Sequence, residues 1–185
     1  AGVQLAFSAD TLRATGSAPL DWVASAGQLA ARVTGVSAID LSAGSTEMPP
    51  ALAQLQREIE GEQVLFRVGS AALGPTARGT ATRVAERFGQ VEASAAAMGI
   101  RATLLLIGLT DPTGSYSANQ ALSRERAEAV LAALATRGVS RGGASVSALG
   151  TTRPLPAGTP ADRARINRSV SFEVSVGLPG KEASR

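Results

Sequence analysis

At 185 residues the chain can hold one ordinary domain or two small ones, and 44% apolar residues can supply a packed core without covalent staples. It contains neither cysteine nor histidine, which excludes disulfides, thiolate metal sites, a cysteine nucleophile, any Ser-His-Asp triad and the commonest zinc ligand. A sequence pI near 10.5 overstates the basicity: the net charge is only +3, and without histidine almost nothing titrates between the carboxylates and arginine.

The function classes narrow further. Arg57, Arg67, Arg83, Arg101, Arg124 and Arg153 are scattered, and aromatics make up 3% of the chain, too few for a base-stacking surface, so no nucleic-acid partner is expected. The single lysine, Lys181, lies in a Gly/Pro/Ser tail that is poor ground for a serine-lysine mechanism. No apolar run approaches the roughly 18 residues of a membrane helix, and residues 1–20 lack a basic start followed by a hydrophobic block. Any signal or membrane anchor the protein uses is therefore expected outside this chain.

In chain order, alternation over residues 3–8 and again over Thr11–Thr15 predicts two strands in a hairpin. Pro19 and Asp21 suit a helix start, with Trp22, Val23, Leu29 and Ala30 facing inward; Gly35 ends that helix before a strand at Val36–Leu41. Ser42–Pro50, with Gly44, Pro49 and Pro50, reads as a linker, and Pro50–Glu60 as a helix with Leu52, Leu55 and Ile59 at helical spacing.

Val64–Val68 then reads as a strand and Pro75–Met98 as an alanine-rich helix with Val84, Phe88 and Val91 along one side. Thr103–Leu109 is a nearly continuous apolar run, which fits a strand covered on both faces. After a turn at Thr110–Gly114 a helix is expected over Ala118–Arg137, then a strand at Ser145–Leu149, a short helix at Asp162–Asn167 and a strand through Val170, Phe172, Val174 and Val176. The order implies an α/β architecture, an α+β sandwich with helices packed on a mixed β-sheet, preceded by a small ββαβ unit.

One pair of charges stands out. On a helical wheel Leu122, Arg126, Val130 and Leu134 follow one another at i+4 steps, so Arg126 lies within an apolar stripe and must snorkel out or find a counter-charge. Its natural partner is Asp111, upstream at the C-terminal end of the buried strand, where sites of α/β sheets tend to form. Two readings are open: Asp111 caps its turn and bonds internally to Arg126, or the two charges bracket a small zwitterion, Asp111 taking an ammonium and Arg126 a carboxylate.

Three ordered motifs add what spacing cannot. Gly108-Leu109-Thr110-Asp111-Pro112-Thr113-Gly114, Asn119-Gln120-Ala121-Leu122-Ser123-Arg124-Glu125-Arg126-Ala127 and Asn167-Arg168-Ser169-Val170 resemble the OmpA-like C-terminal domain of outer-membrane anchors, peptidoglycan-associated lipoproteins and flagellar stator subunits. The resemblance covers roughly residues 62–177, including Val64, the Leu149-Gly150 pair and Pro154. It implies that Asp111 and Arg126 hold the diaminopimelate of the peptidoglycan stem peptide, that Thr110, Asn119 and Leu122 shape the pocket, and that Arg168 supports it.

There are departures. Phe66-Arg67-Val68-Gly69 replaces the family's Phe-Asp-Phe-Asp, removing acidic groups from the pocket rim; Ser169 replaces a second arginine, and Leu109 a commonly polar position. The N-terminal segment resembles a BON-type fold through Thr15–Ser17 and Gly35-Val36, which would link it to membrane association. The expected layout is a BON-like unit over 1–46, a linker and helix over 47–61, an OmpA-like domain over 62–177 and a flexible tail over 178–185.

The resemblance implies a non-enzymatic envelope protein of the periplasm, associated with the outer membrane, whose partner is peptidoglycan and which needs no cofactor or metal. Envelope protein partners and a homodimer of the kind some stator domains form are open expectations. The alternative is an interaction scaffold that keeps the fold without wall binding.

Overall fold

The computed structural model describes residues 3–30, 32–155 and 158–177, which form two compact units. The first comprises the described residues of Ala1–Gln54, Ala93–Arg101 and Val176–Arg185, the second Leu55–Glu92 and Ala102–Ser175. The expected tail over 178–185 lies outside the described residues.

In the first unit β1 (Val3–Ser8) and β2 (Thr11–Pro19) form an antiparallel hairpin, α1 (Leu20–Ala30) follows, and β3 (Ala38–Glu47) returns parallel to β2 in a sheet ordered β1-β2-β3. The ββαβ order matches the expectation. Two details differ. β3 runs on to Glu47 because its register with β2 continues through Ala18↔Thr46 and Pro19↔Glu47, so Ser42–Glu47 is strand and not linker. The inward face of α1 carries Ala26 and Ala30, one turn apart, whereas Leu29, about 100° away on the wheel, is 60% exposed.

The second unit carries what positions the site. After α2 (Pro50–Glu60) come β4 (Val64–Leu65), α3 (Pro75–Ala97), β5 (Arg101–Leu109), α4 (Tyr116–Ala135), β6 (Ala144–Gly150), α5 (Pro160–Asn167) and β7 (Ser169–Gly177). The strands form one mixed sheet in the order β4-β7-β5-β6, with β4 antiparallel to β7 and β5 parallel to β6. Leu104, Leu106, Ile107 and Leu109 of β5 are all buried, as the continuous apolar run required of a strand covered on both faces. Val84, Phe88 and Val91 of α3 are wholly buried at helical spacing.

β4 stops three residues short of the expected Val68. The Phe66 amide still donates to the Arg168 carbonyl at 2.8 Å, but the chain then turns at Gly69, whose φ of +62° suits glycine. At the other end of β4, the antiparallel register of Val64 with Val170 sets the far half of β7 opposite residues that precede Val64, where α2 has only just ended, so that half has no β4 neighbour. Two side chains one turn apart on α2 take over: Gln56 Nε2 donates to the Val174 carbonyl at 3.2 Å, and Glu60 Oε1 accepts from the Val174 amide at 3.1 Å. Unpaired backbone groups in a sheet are costly, and this pair satisfies both.

Helix α4 packs on β5 at almost no separation. A Cβ on Gly108 would stand 2.8 Å from the Ser123 carbonyl carbon and closer still to its oxygen, so this strand position admits only glycine. Ser123 also accepts from the Gly150 amide at 3.1 Å and donates to the Gln120 carbonyl, tying α4 to the end of β6. Gly108→Ala is expected to destabilise the protein by about 1–3 kcal/mol through overpacking, read as a lowered urea midpoint by far-ultraviolet circular dichroism.

Candidate functional site

The site gathers where β4, β5, β7 and the first turns of α4 end near one another. Ser115 caps α4, its hydroxyl accepting from the Ala118 amide at 3.2 Å, and the buried face of the helix begins polar: Asn119, Ser123 and Arg126, before Ala127, Val130, Leu131 and Leu134. Asn119 is 6% exposed, and Leu122, expected within the inward stripe, is half-buried. The helix therefore brings polar groups to the C-terminal ends of β5 and β6 and apolar ones to the core, and C-terminal strand ends are where sites of α/β sheets collect.

Arg126 is the largest wholly buried side chain among the described residues. Its Nε donates to the Ser70 carbonyl at 3.0 Å, Nη1 to the Leu109 carbonyl at 3.1 Å and Nη2 to the Arg67 carbonyl at 3.1 Å. The Phe66 ring covers the guanidinium, with the ring centroid 5.3 Å from Cζ, a cation–π distance. Three carbonyls from two segments thus solvate the charge. Burial depresses its pKa below the ordinary arginine value, the Asp111 charge opposing the shift and the Arg168 charge adding to it.

Asp111 is 6% exposed and makes a different set of contacts from the direct Arg126 pair that the sequence allowed. Its Oδ1 accepts from the Thr113 amide at 3.2 Å and from the Thr113 hydroxyl, closing the turn, while Oδ2 accepts from Arg168 Nη1 at 3.1 Å. The turn-capping half of the internal reading is present. The guanidinium that bonds to the carboxylate is Arg168, because Arg126 is drawn to the carbonyls of Arg67, Ser70 and Leu109. Burial alone would raise the Asp111 pKa, but the bonds from the Thr113 hydroxyl, Arg168 and the Thr113 amide outweigh it and hold the carboxyl below its usual value.

The surroundings hold these groups in place. The Thr110 amide donates to the Gly150 carbonyl at 2.9 Å, and buried Asn167 clamps Leu155 from both sides, accepting from its amide at 2.7 Å and donating to its carbonyl at 3.2 Å. Among the described residues, Thr110 Oγ1, Arg168 Nε and Ser169 Oγ are buried without a protein partner. Such groups are uncommon in folded proteins, and all three belong to residues beside or within the Asp111–Arg168 pair. Of the six expected residues, Thr110, Asp111, Asn119 and Arg126 are buried, and Arg168 joins them through its ion pair. Sequence reasoning passed over Ser123, Gly108 and the carbonyls of Arg67 and Ser70, although Ser123 and Gly108 both stood inside quoted motifs.

The chain has counterparts among known proteins. The sequence model of the OmpA family matches residues 65–168. The probable lipoprotein YiaD of Escherichia coli (strain K12) is 32% identical over 112 residues, or 60% of this chain and 48% of that protein. The chain thus spans about half the length of that relative. A crystal structure of the peptidoglycan-associated lipoprotein from Burkholderia pseudomallei is 26% identical with a TM-score of 0.52, covering 61% of this chain and 89% of that one. The C-terminal domain of Helicobacter pylori MotB, 21% identical with a TM-score of 0.54, covers 66% of this chain and 86% of its own; the likeness is one of fold.

Two outcomes follow from the charges. Arg126→Ala leaves three buried carbonyls without a donor and is expected to cost roughly 3 kcal/mol or more, measured by urea unfolding. The lowered Asp111 pKa contributes stability above the unfolded carboxyl value of about 4, and that contribution is lost as pH falls through the folded value. Urea midpoints followed from pH 7 to pH 3 should therefore fall less steeply in Asp111→Asn than in wild type.

Proposed function

The chain belongs to the OmpA family, and on that premise we propose that its second unit binds peptidoglycan without catalysis, through the diaminopimelate of the stem peptide, and so anchors a cell-envelope protein to the wall. The observation that carries this reading is a wholly buried guanidinium, Arg126, with no carboxylate bonded to it among the described residues, set near a buried carboxylate, Asp111. A buried cation solvated only by carbonyls gains most from an anion. Diaminopimelate ends in a carbon bearing both an ammonium and a carboxylate, so one ligand terminus can address both residues.

In this mechanism the ligand carboxylate meets the Arg126 fork and the ammonium meets Asp111 Oδ2, competing there with Arg168. Thr110 and Arg168 supply buried polar atoms that the protein leaves unbonded, while Asn119 and Leu122 wall the pocket. No oxidation, hydrolysis or metal is called for. The names of the relatives, a lipoprotein and a peptidoglycan-associated lipoprotein, support an envelope location, periplasmic and associated with the outer membrane. No helix among the described residues is long and apolar enough to cross a membrane. The ββαβ order of the first unit is consistent with a BON-like role in membrane association, which stands as part of the same proposal.

A second reading has its own support. Asp111 already holds Arg168 and Thr113, and Arg126 already holds three carbonyls, so the charges can serve as internal ties in an interaction scaffold.

Co-sedimentation with purified diaminopimelate-type peptidoglycan separates the two. Wild type is expected in the pellet, and Asp111→Asn, with an unchanged circular dichroism spectrum, should bind roughly tenfold or more weakly. Wild type remaining in the supernatant would establish the scaffold reading instead.

A further inference from the structure

The unmatched charge at the site sets a condition on the ligand that goes beyond its being diaminopimelate, and the argument rests on that reading. Among the bonded groups described above, two are guanidiniums, Arg126 and Arg168, and one is a carboxylate, Asp111. The set carries one positive charge more than it neutralises. The segment from Phe66 to Gly74, which supplies two of the carbonyls on Arg126, contains no acidic residue and adds Arg67, whose side chain is exposed.

The orientation of Arg126 says how an anion would meet it. A guanidinium has five N–H donors, two on each terminal nitrogen and one on Nε. Each nitrogen gives one donor to a carbonyl, so Nε is fully used and Nη1 and Nη2 keep one each. Phe66 lies over one face of the planar group. The two unspent donors suit a carboxylate, whose two oxygens can each accept one of them. A carboxamide has one acceptor oxygen and, in place of the other, an NH2 that would point donors at donors.

We propose that the site is selective for the ionisation of the ligand's terminal carboxyl: it takes stem peptides whose diaminopimelate carries a free side-chain carboxylate and rejects those in which that group is amidated. Amidation removes the negative charge that offsets Arg126 and replaces an acceptor with a donor at the same contact. Charge-assisted bonds are about twice as strong as neutral ones, so the amidated ligand is expected to bind at least about tenfold more weakly.

Titration calorimetry of the whole chain tests this with three synthetic stem peptides that differ only at the third residue: free diaminopimelate, diaminopimelate amidated at its side-chain carboxyl, and lysine. Because only the ligand changes, protein stability does not enter. Binding of the free form with at least about tenfold loss for both other peptides supports the proposal. Equal binding of the free and amidated forms, with lysine weaker, overturns the proposal and leaves the diaminopimelate reading standing. Equal binding of all three, or of none, overturns the reading and the proposal together.

Discussion

The placement of one guanidinium in a dry interior governs the second unit. Arg126 takes no direct carboxylate partner among the described residues; it is held by carbonyls of Arg67, Ser70 and Leu109 and covered by Phe66. An ion so buried demands satisfied geometry, and that demand reaches outward. It is met where the backbone leaves the sheet after Phe66 and turns the Arg67 and Ser70 carbonyls onto the guanidinium.

The site also divides labour between its two arginines in a way that composition conceals. Arg168 neutralises Asp111 directly, and Arg126 remains electrostatically open while mechanically fixed. On the proposed function, a fixed group with unspent donors would act as a preorganised receptor: little reorganisation would accompany an incoming anion, so more of the contact energy would appear as affinity. The polar start and apolar finish of the buried α4 face place that receptor where the core gives way to the strand ends.

Much of the architecture was legible because burial writes itself as periodicity. The β5 run, the alternation through Val170, Phe172 and Val174, and the α3 stripe at Val84, Phe88 and Val91 are each consequences of one apolar face, and each is found. What the sequence hid is backbone chemistry. Carbonyls have no letter, so the partners of Arg126 could not be read, and the missing counter-charge pointed instead to Asp111. Arg168 lies 57 positions from Asp111, and only the β4–β7–β5 sheet order brings the two together. The strand at Ser42–Glu47 was masked by small residues, whose pairing with β2 is a matter of register rather than of side-chain pattern.

The contact between Gly108 and Ser123 has a kinetic meaning. With the backbone of β5 against the backbone of α4, and the Ser123 hydroxyl fastened to Gly150, the helix has no room to slide lengthwise over the sheet. Conformational signals in proteins often travel as such translations of one packed element past another, and this junction forbids them. On the proposed function, an occupant of the site would be felt through side-chain rearrangement at Asp111 and Arg168, and the unit would work as a passive clasp and not as a lever that reports on what it holds.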